Sequence, residues 1–144
     1  MAIHYYEENI SSKLKDKRKL SAYIKSIIDE HIDVNRIDIN YIFCSDEYLL
    51  EKNIAFLDHD TLTDIITFDL SETVDDLTGE IYISVERVKE NAEKFGVTYQ
   101  HELHRVIFHG ILHLCGFKDK TDADAKMMRQ MEEQSLAGYF TPAS

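Results

Sequence analysis

The chain has 144 residues, 44% of them hydrophobic, and its 16 Lys and Arg against 27 Asp and Glu give a formal charge of −11. A chain of about 150 residues buries roughly two-thirds of its unfolded surface, so we expect one domain spanning 1–144 with its own core. The acidic balance excludes a protein that coats nucleic acid as histones do, because phosphates repel such a surface, but it leaves room for a local basic patch.

The first half of the chain is predicted to alternate strands and helices. Ile3–Tyr6 is a short candidate strand, and the spacing of apolar residues predicts a helix over Leu14–His31. Alternating apolar and polar residues predict a strand over Arg36–Cys44. Ser45 is a preferred N-cap residue, which predicts a short helix running to about Asn53.

The second half is predicted to contain a hairpin, with strands at Asp64–Asp69 and Gly79–Ser84 joined by a polar connection, and then three helices. Each helix begins at a hydroxyl N-cap, and a glycine follows its end. These helices are predicted over Ser84–Phe95, Thr98–Cys115 and Thr121–Leu136, followed by Gly96, Gly116 and Gly138. The order β-α-β-α-β-β-α-α-α is typical of α/β or α+β proteins, and we expect an α+β fold, a compact domain whose small mixed sheet is covered by helices.

The cysteines and the N-terminus indicate the cellular setting. Cys44 and Cys115 are the only cysteines, too few and too far apart for a disulfide framework, which indicates a reducing compartment and no disulfide-linked partner. The first residues carry acids and lack the apolar segment of a secretory signal. No apolar run approaches the roughly 20 residues that span a bilayer. We therefore expect a soluble, cytoplasmic protein with no membrane partner.

Four of the seven histidines lie between His101 and His113. Each residue of a helix turns by about 100°, so His109 and His113 are within about 40° of each other, one turn apart, and can converge on one ion. His104 is nearly opposite and His101 is about 80° away on the helix. We expect these two to be ordinary hydrogen-bonded residues.

A carboxylate follows the histidine pair. A left-handed Gly116 lets the chain reverse, so that Asp119 can reach the same ion. Asp122 and Cys115 are alternatives for the third ligand that we favour less. Two His and one carboxylate leave a position open for water, as in catalytic zinc sites, and imidazole also suits nickel. The sequence therefore predicts one divalent ion, Zn²⁺ or else Ni²⁺, held by the two histidines and Asp119.

The residues between the two histidines differ from the motif of zinc peptidases. Gly110, Ile111 and Leu112 leave no Glu beside the first His to act as general base. Gly110 instead permits the close approach of another backbone or of a substrate. A peptidase would have to obtain its base from elsewhere in the chain.

Three segments, in order, resemble the YbeY endoribonucleases. The segment His109–Asp119 is similar to the family's His-Gly-x-Leu-His-Leu-x-Gly-aromatic motif with its third ligand two residues later. Thr63–Phe68 and Gly79–Ser84 look like two further segments of that family. The resemblance begins at about Asn53 and extends to the C-terminus. It implies a single-domain, metal-dependent endoribonuclease in ribosomal RNA maturation and ribosome quality control, with ribosomal RNA or a ribosomal subunit as its partner.

The chain departs from the family pattern at three positions. Asp119 stands where the family usually has a third His, which keeps a ligand and adds a negative charge. Leu57 stands where the family usually has an Arg for catalysis or RNA contact, and Leu62 stands where it has a Pro. Leucine cannot stabilise a phosphate, so either another cation replaces that Arg, with His59 as a nearby candidate, or the activity differs.

The resemblance also suggests candidates for catalysis and for RNA contact. Asp60 and Asp64 are catalytic candidates by their place in the second segment, although capping a loop and a strand start is an equally good interpretation. Five basic residues within seven positions, and two lysines that flank Asp119, are candidates for phosphate contact, against the alternative of solvated surface charge. These RNA-binding candidates are Lys13, Lys15, Lys17, Arg18, Lys19, Lys118 and Lys120.

The mechanism that the ligand set indicates is metal-assisted cleavage of an RNA phosphodiester, in which the ion polarises a phosphoryl oxygen or lowers the pKa of a bound water. Two alternatives stay open. One is another zinc hydrolase, such as a peptidase. The other is a ribosome-assembly factor without catalytic activity, whose metal is structural.

Overall fold

The computed structural model describes residues 2–57 and 63–140. Within them the chain forms β1 (Ala2–Glu7), α1 (Lys17–His31), β2 (Arg36–Cys44), α2 (Asp46–Leu57), β3 (Ile65–Asp69), β4 (Asp76–Ser84), α3 (Val85–Phe95), α4 (Tyr99–Leu114) and α5 (Asp122–Phe140). The order of elements predicted from the sequence is confirmed.

The strands form one mixed sheet in the order β1-β2-β4-β3. β1 pairs with β2 and β2 pairs with β4 in parallel, whereas β3 pairs with β4 antiparallel as the predicted hairpin. The expected α+β class with a small mixed sheet is therefore confirmed. The hairpin leaves β3 next to β4 at one side of the sheet, and α4 packs against both strands.

The main core lies between the sheet and the helices α1, α3, α4 and α5. The alternation in β2 turns four apolar side chains into this core, and all are almost completely buried: Ile37, Ile39, Tyr41 and Phe43. Tyr41 Oη donates a hydrogen bond to the Ile107 carbonyl oxygen at 3.0 Å. This bond fixes the central strand to the middle of α4, two residues before His109.

Side-chain caps start the last three helices, as the sequence predicts. Ser84 Oγ accepts a hydrogen bond from the Arg87 backbone N–H, and Thr98 Oγ1 accepts one from His101. Thr121 Oγ1 accepts the N–H of Asp124. Each cap satisfies a backbone donor that the first turn of a helix leaves unpaired.

Four predicted boundaries are wrong. α2 ends at Leu57 rather than at about Asn53. α1 begins at Lys17 rather than Leu14, because Asp16 has a left-handed backbone with φ of 55°. β4 begins at Asp76 rather than Gly79, because its polar first residues pair with the start of β2. α5 continues through Gly138 to Phe140, because this glycine faces Tyr23: a side-chain carbon there would lie 2.5 Å from Tyr23 Oη. The glycine permits a helix contact instead of ending the helix.

The structure also shows the state of both cysteines and the character of the helices. Cys44 and Cys115 are free, and burial raises the pKa of both thiols to about 12, so neither is a reactive thiolate at neutral pH. Cys115 packs against the core, as predicted, and not in a ligand position. No helix in the described ranges 2–57 and 63–140 combines the length and the apolar composition that a membrane span needs.

Candidate metal centre

A pocket of about 330 Å³ opens where α4 passes the start of β3. Its charged and histidine side chains come from three places. Asp64 directly precedes β3, Arg105, His109 and His113 project from α4, and Asp119 lies on the turn after α4. The structure therefore brings the three predicted metal ligands and one predicted catalytic residue into a single pocket.

The turn after α4 folds back as the sequence predicts. Gly116 has a φ of +107°, a left-handed value that glycine adopts without strain. This reversal places Asp119 Oδ2 3.5 Å from His109 Nε2. Ligand atoms of a tetrahedral ion with bonds of about 2.0–2.1 Å are roughly 3.3 Å apart, so this donor pair has nearly the spacing that zinc needs.

His113 is one helical turn beyond His109 and lines the same pocket. The two rings are nearly parallel, at 5°, with centroids 6.4 Å apart. Across residues 2–57 and 63–140, no three His, Cys, Asp or Glu side chains are already close enough together to form a metal cluster. The donor types and the spacing of His109 and Asp119 fit a divalent ion, and the full ligand set stays a prediction.

Sequence reasoning missed Glu132, which lies on α5 and contacts the other side of the His109 ring. His109 Nδ1 is 2.6 Å from Glu132 Oε2. Since an ionised carboxylate only accepts hydrogen bonds, Nδ1 carries a hydrogen, and in the neutral imidazole Nε2 then presents its lone pair to the pocket. Glu132 is 23 residues away in sequence, so no local pattern could have identified it.

Arg105 lies one turn before His109 and is surrounded by carboxylates. Its Nε and Nη2 donate to the two oxygens of Glu102 at 2.8 and 2.7 Å, and its Nη1 donates to Glu132 Oε1 at 3.0 Å. Asp64 Oδ2 is 3.7 Å from Nη2. Glu102 and Glu132 are only 1% and 3% exposed, so Arg105 is the counter-charge that makes their burial tolerable.

These contacts shift the pKa values of the site. Burial opposes the charge of Glu132, but the hydrogen bonds and charges of His109 and Arg105 outweigh it and lower its pKa. Burial likewise opposes the charged form of His109, yet Glu132, Asp119 and Asp64 together raise its pKa. Burial raises the pKa of Asp64, which Arg105 and His109 offset only in part. The surroundings are rich in negative charge and therefore favour a cation.

The other two histidines of α4 do not line the pocket. His104 is buried, with its Nδ1 2.7 Å from the Gln100 carbonyl oxygen, and His101 is exposed. Gly110, however, does not face another backbone or an open substrate space. A side-chain carbon at position 110 would be 3.0 Å from side-chain atoms of Ile65 and of Ile81, so this glycine lets α4 pack closely on the sheet.

The basic run is not part of the pocket. Its five basic side chains are exposed, and the run is attached to the first turn of α4: Gln100 Nε2 donates to the Lys13 carbonyl oxygen and Tyr99 Oη donates to that of Ser12. Gln100 is nine residues before His109, or roughly 14 Å along a helix. The run therefore lies towards the opposite end of α4 from the predicted ligands.

The remaining predicted residues are two exposed lysines, three residues outside the described ranges, and Leu57. Lys118 and Lys120 are exposed on either side of Asp119, at the end of α4 where the pocket lies. Asp60, His59 and Leu62 lie outside the described residues. Leu57 is the last residue of α2.

Comparison with known proteins identifies the family of the chain. A sequence model described as "Endoribonuclease YbeY" matches residues 4–139. The chain belongs to the YbeY family. Proteins named endoribonuclease YbeY from Flavobacterium johnsoniae and Cytophaga hutchinsonii are 46% and 45% identical to it, over 93% and 94% of this chain and 94% of each relative. The solution structure of TM1509 from Thermotoga maritima matches with a TM-score of 0.65 and 31% identity, over 96% of this chain and 89% of that one.

Proposed function

We propose that the chain is a metal-dependent endoribonuclease of ribosomal RNA maturation and ribosome quality control, and that it acts in the cytoplasm on ribosomal RNA or a ribosomal subunit. Membership of the YbeY family supports the nuclease activity. The observation that carries the metal dependence is the geometry of His109, whose Nδ1 is bound by Glu132 while its Nε2 faces Asp119 across 3.5 Å.

In this proposal His109, His113 and Asp119 hold one divalent ion, Zn²⁺ or else Ni²⁺. Such an ion supplies positive charge for a phosphoryl oxygen and makes water a better nucleophile. Asp64 lines the same pocket, and we assign it the role of proton acceptor. Two carboxylates line this pocket, and Asp64 is the one that the proposal does not use as a ligand; Arg105 lies 3.7 Å away, beyond hydrogen-bond distance. Asp60 remains the second candidate for this role.

The replacement of the family arginine by Leu57 needs another cation for the substrate phosphates. Arg105 lines the pocket, but its hydrogen bonds to Glu102 and Glu132 commit most of its guanidinium to buried carboxylates. We therefore assign the phosphate contacts near the site to the exposed Lys118 and Lys120, and contacts with more distant RNA to the basic run Lys13–Lys19.

The test combines metal analysis with cleavage assays on structured RNA, single-stranded RNA and casein. We expect the wild type to retain one ion and to cleave RNA but not casein. His113→Ala should lose both the ion and cleavage, whereas the control His101→Ala, which removes an exposed histidine from the same helix, should lose neither.

Three different outcomes would each contradict one part of the proposal. RNA cleavage by metal-free protein would contradict metal dependence. Casein cleavage would favour a peptidase-like zinc hydrolase. An ion that is retained without RNA cleavage would favour a ribosome-assembly factor with a structural metal.

A further inference from the structure

Glu132 is the only residue in the described part of the chain whose two carboxylate oxygens contact two different side chains of α4. Oε2 accepts from His109 Nδ1 at 2.6 Å, and Oε1 accepts from Arg105 Nη1 at 3.0 Å. Arg105 and His109 are one turn apart, so a single carboxylate on α5 holds both. Glu132 is 3% exposed, so both contacts are largely sheltered from solvent.

We propose that Glu132 is a positioning residue: it fixes His109 as the Nδ1–H tautomer and thereby keeps Nε2 free to bind an ion. The inference rests on the proposed metal function, because a free Nε2 is useful only if it binds an ion. The tautomer itself is a property of the metal-free protein. Carboxylates that accept from the distal N–H of a ligating histidine orient the ring and make it a better ligand, and losing one costs typically 10–100-fold in metal affinity.

The position of Glu132 indicates that it is not itself a ligand. Its Oε2 is on the Nδ1 side of the imidazole, whereas Asp119 is on the Nε2 side. Glu132 also lines a different groove, shared with Phe95, Val97 and Arg129, and not the pocket that contains Asp119 and His113. It supports the site from behind the His109 ring.

Because of Arg105, position 132 requires a carboxylate and not merely a side chain of the same shape. A glutamine has nearly the same shape but only one acceptor oxygen. Arg105 can only donate, so it would take that oxygen, and the amide NH₂ would then face His109. An NH₂ group donates to Nδ1 and favours the opposite tautomer, in which Nε2 carries the hydrogen and cannot bind an ion. Glu132→Gln is therefore expected to switch the tautomer and not merely to weaken a hydrogen bond.

The tautomer can be measured directly on metal-free protein. We would record long-range proton–nitrogen NMR spectra of histidine-labelled protein at a pH where the imidazole is neutral, and assign His109 by its absence in His109→Gln. The wild type is expected to show the Nδ1–H tautomer and Glu132→Gln the Nε2–H tautomer. Glu133→Gln, which changes the adjacent exposed glutamate of α5, is the matched control and should resemble the wild type.

Metal affinity gives the second measurement. In competition with a colorimetric chelator, the Kd for Zn²⁺ should rise about 10–100-fold in Glu132→Gln and by less than about twofold in Glu133→Gln. An unchanged tautomer or an unchanged Kd in Glu132→Gln would overturn the proposal. If the wild type binds no Zn²⁺, the proposed metal function fails, while the tautomer comparison still decides whether Glu132 fixes His109.

A second variant covers the case in which Glu132→Gln does not fold. Glu132→Asp keeps the charge beside Arg105 but withdraws the carboxylate from His109. We expect it to give a mixture of both tautomers. A spectrum with the Nδ1–H tautomer alone would show that the length of Glu132 is irrelevant to His109 and would overturn the proposal.

Discussion

The basic run Lys13–Lys19 and the network around Arg105 are two charged regions of opposite character. The run places five basic residues within seven positions, and all five side chains are exposed. The network contains one arginine, yet that arginine contacts Glu102 and Glu132, which are almost completely buried. The region with the most basic residues in the sequence is therefore not the region whose charges the fold depends on.

The difference follows from the solvent around each region. Exposed charges are screened, and a single exposed ion pair contributes about 0–1 kcal/mol. A carboxylate taken out of water costs several kcal/mol unless a partner compensates it. Removing a partner from the network should therefore have a large effect, whereas removing a charge from the run should have a small one.

Replacing Arg105 is expected to have the largest effect and is the strongest test of this difference between the two regions. Arg105→Met keeps much of the side-chain volume but leaves Glu102 and Glu132 without their cation, so we expect the free energy of unfolding to fall by about 3–5 kcal/mol. The measurement is urea unfolding at neutral pH. Arg18→Met, the same change in the exposed run, should alter the free energy of unfolding by no more than about 0.5 kcal/mol. Equal losses in the two variants would contradict the contrast.

Two histidines of α4, buried His104 and exposed His101, are expected to show the same contrast in the way that stability depends on pH. Burial lowers the pKa of His104, so the unfolded chain binds its proton more readily than the folded protein. The contribution of a neutral His104 is therefore complete above the unfolded pKa of about 6.5 and is lost as the pH falls from there towards the folded pKa.

The expected result is that His104→Gln loses stability less steeply than the wild type below about pH 6.5. His101→Gln, which changes the exposed histidine of the same helix, should depart from the wild-type profile less than His104→Gln does, because the charge of His101 is only a minor cause of the lowered pKa of His104. Urea unfolding of the three proteins at a series of pH values measures these slopes. A wild-type slope in His104→Gln would mean that burial of this ring is not linked to its protonation.

The fold was predictable from the sequence where local patterns determine it. Alternation identified β2, hydroxyl caps identified the last three helices, and helical spacing paired His109 with His113. A glycine also identified the reversal after α4. These features depend on residues within about a turn of one another, which is the range over which a sequence pattern is visible.

What the sequence could not predict depends on contacts between distant segments. Glu132 approaches His109 only because α5 packs on α4, and Arg105 is recognisable as a buried cation only once Glu102 and Glu132 are known to be buried. Gly138 was misinterpreted as a helix stop for the same reason, since its neighbour Tyr23 is on α1.

The smallest expected effect on stability concerns the basic run itself. Replacing Lys15 and Lys17 together by Gln should change the free energy of unfolding by less than about 1 kcal/mol, because both side chains are exposed. If the run contacts RNA, the slope of log K against log salt should become shallower by about 1.4, since each phosphate contact on a single strand contributes about 0.7. The measurement is RNA binding at several salt concentrations, with Lys25 and Lys94 replaced in the control. Equal slopes in the two double variants would leave the run as solvated surface and would contradict its assignment to RNA contact.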